Sequence, residues 1–144
     1  MDIVIREAKP TDKAVIVELI IELGATGGEH SPITEAYVEK YLASPTSKVL
    51  LAETQNQVMG LLSYSVRPDL YHAGSACLIE ELIVHEAARG RGVGSALLTA
   101  LLSRLETLGC AEVSVAAMSD NEQAIKFYRA HGLTEEAVFL EKHF

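Results

Sequence analysis

Arg89-Gly90-Arg91-Gly92-Val93-Gly94-Ser95 is the segment whose residue types and spacing carry the plainest chemical meaning. Cys77 to Val84 before it is aliphatic, β-branched and too short for a helix, so it reads as a buried strand. Val93, Ala96, Leu97, Ala100, Leu101, Leu105 and Leu108 after it fall on one wide helical stripe. A strand, a glycine-rich turn and a helix N-terminus together present backbone N–H groups to an anion, phosphate above all. Between Pro68 and Ser103 the only cationic side chains are Arg89 and Arg91. Both sit where the helix dipole disfavours a cation by about 0.3–1 kcal/mol, a penalty that a bound anion reverses. The alternative is a solvated turn that happens to carry two basic residues. A second chemical feature lies just upstream. Glu80 and Glu81 are adjacent carboxylates inside the apolar strand, and regular pleating puts them on opposite faces. Burial raises a carboxylate's proton affinity and makes it a better base near neutral pH. Either residue could instead pair with a cation on a neighbouring element.

The elements that must position these groups are legible in order. Ile3 and Ile5 alternate with polar neighbours, which predicts a short strand over residues 3–8. Pro10-Thr11-Asp12 starts a helix with Val15, Ile16, Leu19, Ile20 and Leu23 on one stripe, and Gly24 is expected to stop it. A loop over residues 26–30 leads to a second helix, with Ser31 as N-cap and Pro32 at its first position, ending near Ser44-Pro45. Residues 48–53 and 58–66 read as a hairpin turning at Thr54-Gln55-Asn56-Gln57. Residues 67–74 are expected to form a loop. Gly109 closes the helix that follows the glycine turn, and residues 112–117 read as a strand parallel to the one before that turn. Ser119 and Glu122 have capping-box spacing for a helix carrying Ala124, Phe127, Tyr128 and His131, which Gly132 ends. Val138-Phe139-Leu140 reads as a last short strand. The expectation is one α/β domain over residues 1–144, with antiparallel strands first, a central parallel pair and about four helices. Ligands in such sheets bind beyond the C-terminal ends of parallel strands.

Composition sets limits on function. A chain of 144 residues, 49 % of them apolar, can bury a sizeable core. No apolar run reaches membrane-spanning length, and the N-terminus has no signal-peptide pattern, so a cytoplasmic protein with no membrane partner is expected. Cys77 and Cys110 share no metal-type spacing and read as reduced core residues. The five histidines are scattered, so no metal is expected. A net charge of −8 argues against a nucleic-acid partner.

The spacing of the glycines narrows the anion. A Walker A loop requires a Gly-Lys-Ser/Thr ending that is missing here, and counting a dinucleotide fingerprint from Gly90 puts Ser95 in the place of its third glycine. Arg89-Gly90-Arg91-Gly92-Val93-Gly94 instead resembles the Arg/Gln-x-x-Gly-x-Gly/Ala loop of the GNAT superfamily of N-acetyltransferases. Leu82-Ile83-Val84-His85 before it is similar to that family's central signature, with His85 where proline is common. Asn121-x-x-Ala124-x-x-Phe127-Tyr128-x-x-x-Gly132-Leu133 is similar to its closing signature.

This resemblance implies acetyl-CoA as co-substrate and a small-molecule primary amine as acceptor, joined by direct attack in a ternary complex. It implies that residues 89–95 bind the pyrophosphate. It also implies that backbone groups of Leu82, Ile83 and Val84, in a strand splayed by a bulge, serve the pantetheine and the acyl carbonyl, and that Asn121 contacts the pantetheine. Through the diamine acetyltransferase branch it points to Glu80 as general base, directly or through a water. Tyr128 becomes the acid that protonates the departing thiolate. The acceptor pocket is expected among Glu29, His30, Tyr37, Tyr41, Tyr64, Asp69, Tyr71 and His72. Family members are often dimers. A non-catalytic acyl-CoA-binding regulatory domain and a protein or peptide N-acetyltransferase are the alternative functions.

Overall fold

The computed structural model describes residues 2–144. Strand β1 (Val4–Glu7) is followed by a short 3-10 turn at Pro10–Asp12, helix α1 (Lys13–Thr26) and helix α2 (Glu35–Leu42). Strands β2 (Ser47–Thr54), β3 (Gln57–Asp69) and β4 (Gly74–Val84) come next, then a 3-10 turn at Glu86–Ala88 and helix α3 (Val93–Leu108). Strand β5 (Glu112–Val115) and helix α4 (Glu122–Ala130) complete the set. The five strands form one sheet in chain order, antiparallel from β1 to β4, with β4 and β5 parallel through the α3 crossover. None of the described helices is long and apolar enough to cross a membrane.

Alternation along the central strands builds two cores. Leu50, Ala52, Leu62, Tyr64, Cys77 and Ile79 face α3, where Val93, Leu97, Leu98, Leu101 and Leu105 are buried against them. Val49, Leu51, Leu61 and Ile83 face the other way, onto Ile16 and Leu19 of α1 and Val38 of α2. The approach of α3 is set at one point. A Cβ at Gly60 would lie 2.9 Å from Val93 Cγ1 and 3.2 Å from Leu97 Cδ1, so only glycine lets the N-terminal turn of α3 seat on β3. The β2–β3 hairpin turns on Gln55 and Asn56, both with positive φ, as a two-residue loop of right-handed strand twist demands.

Five local expectations are corrected. First, α1 runs through Gly24 to Thr26. Gly24 instead admits a close backbone approach, because an added Cβ would sit 3.0 Å from the Glu29 carbonyl oxygen. Second, α2 begins at Glu35 with Thr34 accepting from Tyr37 N–H, while the Ser31 hydroxyl serves Ile33 N–H in a local turn. Third, residues 67–69 extend β3, because β2 ends its pairing at Ser65 and Pro68 meets only β4 there. Fourth, Asn121, not Ser119, caps α4, accepting from Ala124 N–H at 3.2 Å. Fifth, residues 138–140 form no strand and are exposed.

Gly60→Ala is expected to lower stability by about 1–3 kcal/mol, since Val93 is stiff and fully buried. The urea midpoint measures it. An unchanged midpoint would mean that α3 can seat without the missing side chain.

Candidate active site

The site is built where β4 and β5 part. Their parallel ladder runs from Ala76–Glu112 to Ile79–Val115 and stops, although β4 continues to Val84 beside β3. On the β3 side the register jumps: Tyr64 opposes Ile79 and Ser63 opposes Glu81, leaving Glu80 as the extra residue of a bulge. Beyond the bulge, His85 N–H donates to Met59 O at 2.7 Å, and backbone direction alternates along an antiparallel strand. The N–H and C=O groups of Leu82 and Val84 therefore point away from β3, into the opening left by β5. Ile83 turns its own backbone toward β3 and its side chain into the α1–α2 core.

At the end of this opening lies the turn. Gly90 (φ 77°) and Gly92 (φ 84°) adopt left-handed backbone with nothing within 4 Å of an added Cβ, so conformation and not space requires glycine at both. Gly92 is the N-cap of α3 and offers no side-chain cap, and no acidic residue stands in the first helical turn. Ala96 N–H makes the first intrahelical bond to Gly92 O, which leaves the N–H groups of Val93, Gly94 and Ser95 aimed out of the helix end. Their sum is an uncapped positive pole. Arg91 has no ion-pair partner among the described residues and is exposed beside it. Arg89 is held differently: its Nε donates to Val84 O and its Nη2 to Glu22 Oε2, both at 3.0 Å.

Glu22 of α1 is a site residue that sequence reasoning missed. Its carboxylate also accepts from His85 Nδ1 at 2.6 Å and Glu86 N–H at 2.9 Å, clamping the turn to α1. Burial works against its ionisation, but the His85 and Glu86 hydrogen bonds and the His85 and Arg89 charges outweigh it and hold Glu22 below the usual range. No sequence signal separates it from the other polar residues of α1.

Helix α4 covers the opening from the α3 side. A Cβ at Gly94 would lie 3.6 Å from the Phe127 ring and 3.7 Å from Val84 Cγ2, so β4, α3 and α4 converge there. Tyr128 packs edge-on against Phe127 with ring centroids 5.3 Å apart, and burial pushes its phenol up, keeping it protonated at neutral pH. The Asn121 carbonyl is engaged in its cap at the N-terminal end of α4.

The two carboxylates correct the pleating expectation. The bulge consumes one step of alternation, so Glu80 and Glu81 share the α1–α2 face. Glu81 is fixed there by a reciprocal pair with the buried Ser63: the hydroxyl donates to Oε1 and accepts from Glu81 N–H at 2.9 Å. Partial burial first, and then the Glu81 charge, raise the proton affinity of Glu80. The Tyr41 hydroxyl of α2 is buried in this region without a hydrogen-bond partner, and burial followed by the Glu80 and Glu81 charges pushes it up to about 12. Tyr37 stands next to it, with ring centroids 6.5 Å apart. The other expected acceptor residues are not gathered here. Tyr64 faces α3. Asp69, Tyr71 and His72 lie at the β3–β4 turn, where Asp69 and His72 bond each other, about 20 Å along β4 from Glu80. Glu29 and His30 are exposed beyond α1.

A parting parallel pair, a glycine cradle and an uncapped helix pole thus meet at one end of a mixed α/β sheet. The family model of the acetyltransferase (GNAT) family matches residues 17–133. The chain belongs to the GNAT acetyltransferase family and is an N-acetyltransferase by that membership. It is 26 % identical over 137 residues to an aminoglycoside N(6')-acetyltransferase type 1 of Klebsiella aerogenes, covering 92 % of this chain and 90 % of that one. A crystal structure described as a transcriptional regulator from Bacillus halodurans C-125 superposes with a TM-score of 0.87 at 25 % identity, covering 99 % of this chain and 100 % of that one. An aminoglycoside acetyltransferase from an uncultured soil metagenomic sample, in complex with sisomicin, shares the fold with a TM-score of 0.84 at 23 % identity, covering 99 % and 95 %.

The lowered Glu22 acidity fixes the sign of a pH effect. Its clamp stabilises the fold above the ordinary glutamate value of 4.5 and is lost as pH falls through the lower folded value. Glu22→Ala should therefore cost about 1–2 kcal/mol at neutral pH, and the gap to the parent should close as the pH is taken progressively below 4.5. Paired melting curves measure it. A gap that persists at low pH would place the effect outside the carboxylate.

Proposed function

We propose that the protein transfers the acetyl group of acetyl-CoA to a primary amine of a small cationic molecule, in the cytoplasm, by direct attack in a ternary complex. The observation that carries this reading is the coincidence of an uncapped α3 N-terminus with the gap between β4 and β5. The residues present fit the cofactor. The α3 pole, the left-handed glycines and the unpaired Arg91 suit a pyrophosphate. Leu82 offers a backbone donor and acceptor and Val84 a backbone donor for the pantetheine amides and for the acyl oxygen as it gains charge, the Val84 carbonyl being held by Arg89. Asn121, the N-cap of α4, spends its carbonyl on the cap and keeps its amide N–H groups for the pantetheine. When bound, acetyl-CoA supplies an activated acyl carbon and a thiolate leaving group.

Glu80 takes a proton from the substrate ammonium, directly or through one water, and so frees the amine to attack. Its raised proton affinity, from partial burial and the neighbouring Glu81 charge, makes it a stronger base than an ordinary glutamate. Tyr128, held protonated by burial, donates to the departing sulfur. Cys77 takes no part as a nucleophile, because burial first, and then Cys110, push its thiol up to about 12. Both cysteines are free, which suits a reducing compartment.

The acceptor faces Glu80, Glu81, Tyr41 and Tyr37, two carboxylates and two phenols that suit a protonated amine. The aminoglycoside N(6')-acetyltransferase relative, matched over 92 % of this chain, supports an aminoglycoside-like polyamine over a peptide. A second reading, a regulatory acyl-CoA-binding domain, draws on the Bacillus halodurans structure described as a transcriptional regulator. Thiol release from acetyl-CoA, followed across aminoglycosides, diamines, amino acids and peptides, separates the two. Turnover is expected with an amine carrying several positive charges. Thermal stabilisation by CoA with no turnover on any amine would favour the regulatory reading.

In the same assay, Tyr128→Phe is expected to lower turnover by about 10²–10⁴-fold, with CoA-induced stabilisation kept. An unchanged rate would remove Tyr128 from the mechanism.

A further inference from the structure

Helix α2 carries a buried donor that no acceptor meets at hydrogen-bond distance. Its Val38 shares a core with Val49 and Leu51, and Tyr41, three residues on, lies on the same helical face. The Tyr41 hydroxyl is buried and unpartnered, the only such side-chain atom among the described residues. An O–H left in that state is costly, and native folds rarely keep one.

Four groups act on this hydroxyl: Glu80, Glu81, Ser47 and Ser63. Ser63 is committed, because its proton goes to the Glu81 carboxylate while its oxygen takes the Glu81 N–H. The Glu81 carboxylate is thereby already served. Ser47 is neutral, and a hydrogen bond to it is about half as strong as one to a carboxylate. Glu80 is the converse of Tyr41. It is the extra residue of the bulge, it is exposed, and Tyr41 is the one hydrogen-bonding group that acts on its carboxylate. A carboxylate has two oxygens and about four lone-pair positions, so one oxygen can be held from α2 while the other is left for a substrate.

We propose that the Tyr41 hydroxyl donates to the ionised Glu80 carboxylate, the exposed glutamate side chain turning to meet it, so that α2 aims the residue that takes the substrate proton. This rests on the reading of Glu80 as the base. Tyr41 is a positioning residue. Its hydroxyl is covered and acts through Glu80, whereas Tyr37 beside it is 56 % exposed and open to the amine itself. The bond also has an electrostatic consequence. Burial and then the Glu81 charge raise the proton affinity of Glu80, and Tyr41 alone opposes them. A donor to the charged form favours that form, so Tyr41 helps to keep Glu80 ionised beside a second carboxylate. Cys77, which Glu80 also influences, stays a neutral thiol, pushed up to about 12 by burial first and then by Cys110.

The test reads the bond without turnover. Glu80 is titrated by NMR in the full chain carrying isotope-labelled glutamate, its signal assigned through Glu80→Gln. Tyr41→Phe removes one oxygen and keeps the ring, and in it the Glu80 midpoint is expected at higher pH than in the parent. In the parent, the ζ-carbon resonance of Tyr41 is expected to follow the Glu80 titration and to lose that step in Glu80→Gln, which holds whether or not Tyr41→Phe folds. A Glu80 midpoint unchanged in Tyr41→Phe, or a Tyr41 resonance that ignores Glu80, would overturn the proposal. Kinetics test the underlying reading separately, with acetyl-CoA and the best acceptor among the aminoglycosides, diamines, amino acids and peptides of the thiol-release assay. On the acid limb kcat/KM of Tyr41→Phe is expected to fall by roughly 3–10-fold, the worth of one hydrogen bond, and to recover as pH rises. A merely structural loss would lower the rate equally at every pH. If the Glu80 midpoint moves and the acid limb does not, the bond stands and Glu80 falls as the base.

Discussion

Between Ser63–Glu81 and Tyr64–Ile79 the β3–β4 ladder takes in one residue too many, and the site depends on that residue, Glu80. A bulge bends its strand and raises the local twist. Here it falls directly after Ile79, the last residue of β4 that pairs with β5. The same step turns the Leu82 and Val84 backbone groups into the opening and brings Glu80 onto the face of Glu81. Ser63 pins it from beneath through the Glu81 carboxylate and amide. Under the proposed function, cofactor side and acceptor side are the two faces of one local irregularity.

Around this irregularity the helices act as fixed walls. Val93 against Gly60 sets the height of the α3 pole, and Phe127 against Gly94 sets where α4 crosses. Glu22 ties the intervening turn to α1 by three contacts, to His85, the Glu86 amide and Arg89, and Arg89 in turn holds Val84 O. One basic side chain of the turn is therefore structural in this structure, and the other, Arg91, is left for an anion. The overall negative charge does not conflict with that, because a helix pole and one arginine act within a few ångströms while net charge acts as a diffuse field.

What could be read from the sequence was what local chemistry decides. Gly90 and Gly92 announce left-handed backbone by their spacing, and the Val93–Leu108 stripe announces a helix with Gly109 at its end. Tertiary facts were not legible. Nothing in Leu78-Ile79-Glu80-Glu81-Leu82 marks a bulge, so uniform pleating separated two carboxylates that the fold places together. Gly24 looked like a stop because its real partner, the Glu29 carbonyl, comes from a loop whose path the sequence does not reveal. Asp69, Tyr71 and His72 looked like pocket residues, but the unbroken β3–β4 hairpin carries them to the far end of the sheet. Val138-Phe139-Leu140 was read as a strand from its composition, and in the isolated chain it has no partner strand.

Hydrogen exchange mass spectrometry with and without CoA tests the central claim most directly, that the β4–β5 opening and the α3 pole form one acyl-CoA site. Slowed exchange is expected at residues 82–84 and 92–95 together, with the β3–β4 turn at 69–74 unaffected. Protection confined to other segments, or none at saturating CoA, would contradict it.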